Sequence, residues 1–418
     1  MAEQTPSDAS APHPAVFLLL NLPFGITTGF IVVAVPFLVT RAGLPVLTAA
    51  SMVSIAFIPR SLKVLWAPVL DIILTLKIWY LIECAVAGGM LLAQSFMPIT
   101  ARTVPLVTAA LFTAEMGASL LSATVGGLMA GDVPAGLRGQ AAGWYQLGAK
   151  IGRALGGGGG LWLAAHAVQP RSAGIILGIG CASCALGLFF LREPERQLAV
   201  DTFSRIDGVF RELWKLITSR EGALVAVLSL SPIGVSGAEN LWSAMASEWR
   251  VGANTIVWVT GFAAVAVASI GCVIAGKWAD SSDRRIVYLG TASLLGCVSG
   301  TLALAPHVPA VFIAGNLAQK LTTSMCDVAL SALVLSVIGR TAGATKFTMF
   351  AALGTVPEVY MTAGSGWAHD RWNAETMLIA EAAAAFVFIT AGAVLLLKFF
   401  PMPEQTVQRN RKRIVSNL

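Results

Sequence analysis

Twelve apolar runs, each long enough to cross a lipid bilayer, constrain this chain more than any other feature. They cover roughly residues 16–39, 46–70, 76–97, 104–130, 138–165, 172–191, 222–245, 253–276, 286–305, 308–338, 346–368 and 375–398. A helix of about 20 residues crosses the ~30 Å of hydrocarbon in a bilayer. Only 12% of the residues are charged, whereas soluble domains carry about 25%. The sequence therefore predicts an all-α membrane protein with twelve transmembrane helices.

The net charge of +6 reflects membrane topology rather than nucleic-acid binding. With the N-terminus placed inside, the predicted cytoplasmic segments hold 18 of the 28 Lys and Arg residues, and five more lie within the spans. The five on the outer side are Arg41, Arg102, Arg171, Arg250 and Arg371. The positive-inside rule therefore predicts that both termini are cytoplasmic.

The chain also repeats itself at an offset of about half its length. Pro23 and Gly25 in the first run match Pro232 and Gly234 in the seventh. Asp71 after the second run likewise matches Asp280 after the eighth. The repeat predicts two pseudo-symmetric six-helix halves in tandem, an arrangement in which a transporter's substrate site lies between the halves near the midplane.

This organisation predicts five segments. They are a disordered cytoplasmic tail at 1–15, an N-terminal six-helix bundle at 16–191, a cytoplasmic linker at 192–221, a C-terminal six-helix bundle at 222–398 and a basic tail at 399–418. Apolar residues spaced by three and four in the linker predict an amphipathic helix in the membrane interface. The basic C-terminal tail is expected to contact lipid headgroups.

The loop between the eighth and ninth runs carries the most distinctive motif, GKWADSSDRR, from Gly276 to Arg285. An Asp in such a loop can accept hydrogen bonds from a helix N-terminus or pair with Arg, and the basic residues anchor the cytoplasmic face. The motif resembles the hallmark loop of the major facilitator superfamily, which implies that superfamily's fold. We expect a cytoplasmic gate formed by Asp71, Gly276, Asp280, Arg284 and Arg285.

Further islands are similar to one branch of that superfamily, which contains the AmpG muropeptide permeases and the acetyl-coenzyme A transporters. They are LWAPVLD at 65–71, Asp132 to Pro134 followed by Arg138 and Gly139, and Lys346 to Leu353 followed by Gly364 to Asp370. The branch tends to carry carboxylates deep on helix four, whereas Ala118 to Gly131 contains no acidic residue. The resemblance implies proton-coupled uptake of an anionic solute such as a sugar-peptide or an acyl-carrying metabolite.

Ionisable residues at membrane depth are the candidate site, because each is costly in hydrocarbon unless it faces a partner or a wet cavity. We expect Arg60, Lys63, Lys150 and Arg153 to bind substrate, Glu115, Glu239, Asp327 and Glu358 to couple protons, and Lys320 to be a charge partner in the cavity. Lys150 and Glu358 occupy equivalent places in the two halves, so they are predicted to pair across the cavity. The alternative is that these charges form internal salt bridges that fix helix register.

Other classes of function are weakly supported. No metalloprotease, serine-hydrolase or nucleotide-binding motif is present, and no metal or cofactor is expected. Proton-driven efflux remains an alternative, although the helix that carries a Gly-Pro pair in antiporters has Gly152 and Arg153 instead. A non-transporting membrane receptor is a second alternative. The expected partners are a small solute, protons and lipids, with no nucleic acid, and the expected form is a monomer in the bacterial inner membrane.

Overall fold

The computed structural model describes residues 13–72, 74–132, 138–166, 172–191, 211, 214–215, 217–337 and 343–399. Within its helices, the side chains of 64–72, 130–132, 138–140, 142–143, 280, 335–337, 343–348 and 397–399 lie outside the description. Residues 1–12 and 400–418 of the predicted tails, and most of the predicted linker at 192–221, also lie outside the described residues. The side chains of Asp71 and Asp280 are excluded for the same reason.

The described residues form helices joined by short connections. In the first part of the chain they are α1 Val16–Gly29, a π-helical turn Phe30–Ala34, α2 Val35–Arg41, α3 Val46–Ile72, α4 Leu76–Ser95, α5 Val104–Asp132, α6 Arg138–Ala154, a π-helical turn Leu155–Gly159, α7 Gly160–His166, α8 Ser172–Cys184 and a 3-10 helix Ala185–Phe190. In the second part they are α9 Arg220–Leu230, a 3-10 turn Ala238–Asn240, α10 Trp242–Met245, α11 Ala253–Ile256, a π-helical turn Val257–Ala263, α12 Ala264–Ser281, α13 Arg284–Ala303, α14 Pro309–Val337, α15 Gly343–Gly354, α16 Val356–Arg371 and α17 Ala374–Phe399.

Eight of the helical segments in the described chain are long and apolar enough to cross a membrane. They correspond to the predicted runs one to four, six, eight, nine and twelve. The other four runs also form helices but are interrupted or more polar. The fifth begins with the more polar α6, and the seventh is broken after Leu230. The tenth is the 29-residue α14 with two ionisable side chains, and the eleventh is divided between α15 and α16.

The described chain clusters into two compact units. One contains residues up to Gly208 together with Asn240–Val265, and the other contains Val209–Glu239 with Ala266–Leu418. These units follow contacts, whereas the predicted halves at 16–191 and 222–398 follow the order of the chain, and that division remains a prediction. Within the first unit α1 packs on α6 and α4 packs on α5 and α8. Within the second unit α13 packs on both α14 and α17.

Glycines on α6 and in the π-helical turn that follows it permit direct backbone contact with α1. Gly148, Gly152 and Gly156 recur every four residues and therefore share one helical face. A Cβ built at any of them would fall within 3.0 Å of backbone atoms of α1, and Gly25 and Gly29 face α6 in the same way. The stripe therefore serves tight helix packing, because only glycine leaves room for two helix backbones to touch.

Two tyrosines make equivalent hydrogen bonds in the two repeats of the sequence. The Tyr80 hydroxyl on α4 donates to the Leu20 carbonyl of α1 at 2.9 Å. The Tyr288 hydroxyl on α13 reaches the Leu228 carbonyl of α9 at 3.4 Å and the Ile233 carbonyl at 3.0 Å. The first contact recurs in the second half with both residues displaced by 208 positions. This recurrence supports the predicted tandem repeat.

The seventh predicted span differs from expectation, because it is not one helix over 222–245. α9 ends at Leu230, and the chain then runs without α-helix through Ser231, Pro232 and Gly234. Proline cannot donate the backbone hydrogen bond that a helix interior needs. Gly234 has a φ of +77°, in the left-handed region that favours glycine. The matching Pro23 and Gly25 of the first half stay within α1.

Candidate functional site

A buried ionic cluster lies where α1, α3 and α5 meet in the first unit. The Arg60 Nε donates to Glu115 Oε1 in a short ion pair, and the Arg60 Nη2 donates to Thr28 Oγ1 at 2.7 Å. The Thr28 hydroxyl in turn donates to Glu115 Oε1 at 3.2 Å. The three side chains therefore close a hydrogen-bonded triangle with one positive and one negative charge.

The surroundings of this cluster are apolar. The Arg60 side chain is 8% exposed and that of Glu115 is 0% exposed. The Arg60 guanidinium carbon lies 3.9 Å from the Phe57 ring centroid and 5.6 Å from that of Phe24. Cation–π contacts of this kind strengthen when the cation is desolvated. Arg60 is thus stabilised by the two rings as well as by the carboxylate, and its charge is removed from water.

The glycine contacts between α1 and α6 bring a second arginine to this cluster. A Cβ at Gly29 would fall within 3.0 Å of the Arg153 backbone, and Gly29 directly follows Thr28. The Arg153 side chain is half-buried and lies close enough to Glu115 for a favourable electrostatic interaction. Two predicted substrate-binding residues, Arg60 and Arg153, therefore converge on one predicted proton-coupling residue, Glu115.

The other two basic residues lie one turn away on the same helices. Lys63 follows Arg60 by three residues on α3, and Lys150 precedes Arg153 by three residues on α6. Residues three apart share a helical face, and both lysine side chains are half-buried. Lys63 and Lys150 thus extend the basic character of the two helix faces that carry the arginines.

The second unit contains a separate ion pair. The Lys320 Nζ of α14 donates to Glu239 Oε1, and the two side chains are 19% and 21% exposed. Glu239 lies in the 3-10 turn after the break in the seventh span. Asp327, two turns beyond Lys320, is exposed, and Glu358 is half-buried in the first turn of α16. Lys320 therefore has Glu239 as its carboxylate partner.

The predicted cytoplasmic gate is described only in part. Asp283 caps α13, because its Oδ1 accepts from the Arg285 backbone N–H at 2.9 Å. Arg284 is exposed and Arg285 is half-buried. A Cβ at Gly276 would meet no described atom within 4 Å. The capping function expected of an acidic residue in this loop is thus supplied by Asp283.

Sequence reasoning missed two buried carboxylates, Glu83 on α4 and Glu381 on α17. Glu83 Oε1 accepts from Thr124 at 3.1 Å, while its Oε2 has no hydrogen-bond partner among the described residues. Glu381 accepts from two serines and from backbone N–H groups. Their signal was present, since each is an acidic residue inside an apolar run.

These two residues add to the deep acidic residues of both predicted halves. With them included, the first half holds four basic and two acidic deep residues, and the second half holds one basic and four acidic ones. Among the described residues, no group of three or more His, Cys, Asp or Glu side chains is arranged to bind a metal ion.

Comparison with known proteins identifies the fold of the chain through solved structures alone. No protein-family model matches the chain, and no curated protein matches it. Among solved structures, it is similar to a D-xylose–proton symporter, with 15% identity over 91% of this chain and 98% of the other and a TM-score of 0.69. It is also similar to a bacterial homologue of the human lysosomal transporter Spinster in an inward-facing, occupied conformation, with 14% identity over 93% and 97% and a TM-score of 0.69.

A third match is a transporter of the POT family in complex with a thioalcohol-conjugated peptide, with 11% identity over 93% of this chain and 96% of the other and a TM-score of 0.70. These similarities extend over nearly the whole chain although the identities are low. The chain therefore has the major facilitator fold, an all-α arrangement of a multi-pass membrane protein.

Proposed function

We propose that this protein is a secondary active transporter that takes up a small anionic organic solute together with protons. Proteins that share its fold are named as a D-xylose–proton symporter, a nucleoside transporter and a POT family transporter in complex with a thioalcohol-conjugated peptide. The observation that carries the proposal is the buried triangle of Arg60, Glu115 and Thr28 with Arg153 beside it.

The triangle supplies a physical route from proton binding to anion binding. While Glu115 is ionised, it neutralises Arg60 and lowers the attraction of that guanidinium for an anion. When Glu115 takes up a proton, Arg60 loses its counter-ion in an apolar environment, where an unpaired charge is costly. A substrate carboxylate or phosphate then becomes the favoured partner of Arg60 and Arg153. Proton and anion binding are reciprocally linked in this way.

The remaining charged residues have secondary roles in this proposal. Lys63 and Lys150 raise the positive potential near the solute, since they share helix faces with the arginines. In the second unit, Glu239 and Lys320 form a charge pair that changes partners during transport. Asp327 and Glu358 are further proton sites, and Glu358 is the proposed partner of Lys150.

The solute class follows from the branch resemblance and from the basic cluster together. We expect a sugar-peptide or an acyl-carrying metabolite with at least one carboxylate or phosphate group, transported across a bacterial inner membrane. The proposed working form is a monomer with both termini in the cytoplasm, and its transport cycle moves the two six-helix halves about a central site with gating at the cytoplasmic loops.

The test is transport by purified protein in liposomes, after a thermal-shift screen with anionic metabolites and cell-wall fragments at two pH values. With a stabilising solute, an acidic exterior should drive accumulation by the wild type. Glu115→Gln should abolish the pH-driven accumulation and retain exchange of labelled for unlabelled solute. Arg60→Gln should lose both, while Arg41→Gln, at an exposed position on α2, serves as the control.

Three outcomes contradict the proposal. Full pH-driven uptake by Glu115→Gln would remove Glu115 as the coupling residue. Stabilisation only by lipophilic cations, together with uptake of such a cation into acid-loaded vesicles, would favour proton-driven efflux. An antiporter exchanges internal protons for external solute under that gradient. Binding without flux of any solute, under gradients of either sign, would favour a receptor on the same fold.

A further inference from the structure

The break in the seventh span leaves backbone groups at both of its ends without partners within a helix. A helix C-terminus presents carbonyl groups that have no partner within the helix, and the next helix begins with unpaired N–H groups. Here α9 ends at Leu230 and the 3-10 turn begins at Ala238. Such groups need partners in a membrane protein, because lipid offers none.

Hydroxyl groups satisfy the carbonyl side. The Tyr360 hydroxyl donates to the Leu230 carbonyl at 2.9 Å, and the Ser231 hydroxyl donates to the Leu228 carbonyl at 2.7 Å. The Tyr288 hydroxyl donates to the Ile233 carbonyl at 3.0 Å. The end of α9 is therefore fixed by donors from α13 and α16.

One carboxylate satisfies the N–H side. Glu381 Oε1 accepts from the Ala238 backbone N–H at 2.7 Å and from the Ser365 hydroxyl, and Oε2 accepts from the Ser236 hydroxyl at 2.8 Å. The Gly237 backbone N–H also faces this carboxylate. Glu381 is 6% exposed, and its hydrogen-bond partners among the described residues are hydroxyl and backbone N–H groups.

The anchored segment directly precedes an ion-paired residue. Glu239 follows Ala238 in the chain and binds Lys320 of α14. The assignment of residues to units also changes between Glu239 and Asn240. Gly237 is restricted as well, since a Cβ there would fall within 3.0 Å of the Met361 carbonyl group of α16. The position of Glu239 therefore depends on how tightly residues 236–238 are held.

We propose that Glu381 is a positioning residue, which holds the break at Ser236–Ala238 and thereby directs Glu239 towards Lys320. Its importance for transport rests on the proposed function, but its structural action does not. Glu381 acts on Lys320 only through the backbone of the broken span. Loss of its acceptor oxygens should therefore release the Gly237 and Ala238 amides and weaken the Glu239–Lys320 pair.

The first test is amide hydrogen exchange of the purified protein in lipid nanodiscs, read by mass spectrometry over residues 231–241. Glu381→Gln retains one acceptor oxygen, and Glu381→Ala retains none. Exchange over this segment should rise at least about tenfold in the alanine variant, because a hydrogen bond to a charged acceptor is lost, and should rise less in the glutamine variant. Glu375→Gln, on the same helix with a 52% exposed side chain, is the matched control.

The second test is the rate at which an amine-reactive reagent labels Lys320, compared with the exposed Lys277 in the same molecule. Glu239→Gln sets the rate for a lysine without its partner. Glu381→Gln should move Lys320 labelling towards that rate and leave Lys277 unchanged. A merely structural role for Glu381 would lower thermal stability without this selective change.

The proposal is overturned if the glutamine variant, still folded, shows wild-type exchange at 231–241, or if Lys320 labelling stays at the wild-type rate. Should the alanine variant fail to fold, the glutamine variant provides both measurements. Neither measurement needs a transported solute. A protein that moves no solute would therefore refute the proposed function and leave this result intact.

Discussion

The Arg60–Glu115 pair gives the sharpest prediction, a double-mutant cycle with Arg60→Met and Glu115→Leu. Each single substitution strands a buried charge, since the two side chains are 8% and 0% exposed. Removal of one partner from a buried ion pair costs about 3–5 kcal/mol, whereas replacing both with apolar residues is often neutral. Arg60→Met also removes the guanidinium from Phe57, 3.9 Å from the ring centroid, at a cost of about 2 kcal/mol.

The double variant should therefore be more stable than either single variant, with a total loss of about 2 kcal/mol, the contribution of the lost ring contact. The assay is the apparent Tm of detergent-solubilised protein, followed by size exclusion after heating. Each single substitution should lower Tm by at least about 6 °C, taking roughly 2 °C per kcal/mol for a domain of this size. The exposed Arg41→Met serves as the control for the loss of a positive charge.

A double variant whose Tm loss equals the sum of the two single losses would refute this reasoning. It would mean that the two residues stabilise the protein independently, and that the short contact between them has no coupling energy. A double variant as unstable as the worse single variant would show that Thr28 and Arg153 cannot tolerate an apolar replacement of the pair.

Three further predictions concern helix contacts and the second charge pair. Gly152→Ala should destabilise the protein by about 1–3 kcal/mol or more through overpacking, measured as a Tm loss that is absent in Gly159→Ala, where a Cβ meets nothing within 4 Å. Gly234→Ala should cost at least about 1–2 kcal/mol in backbone strain, since its φ is +77°, and the loss should appear as faster tryptic cleavage on heating. If Lys150 and Glu358 pair during transport, neutralising both should reduce liposome uptake less than neutralising either one; equal or greater loss in the double variant would exclude the pairing.

The sequence was informative about the charges that share a helical face. Arg60 and Arg153 were identified as deep basic residues because they lie within apolar runs, and the structure brings both to Glu115. The position of a residue within its own run could not identify its partner, because the partner depends on how separate helices pack together; α6, for example, is set against α1 by glycine contacts. The network within the cluster is therefore a product of tertiary packing.

The break in the seventh span could not be predicted from the sequence. Pro232 and Gly234 disfavour a continuous helix, but the apolar run at 222–245 predicted one. A break is tolerated at this depth only if other side chains satisfy its backbone, and the main acceptor, Glu381, is 143 residues away in the chain from Ala238. No local pattern could link them.

The backbone contact between α1 and α6 has a consequence for measurements of distance. Where two helices touch through glycine, no side-chain rotamer lies between them that could adjust their separation. Thr28 and Arg153 should therefore move together as one rigid element. Spin labels on the outer faces of α1 and α6 should give a single narrow distance distribution at every pH and with any solute, which makes this helix pair an internal ruler for larger movements elsewhere in the protein.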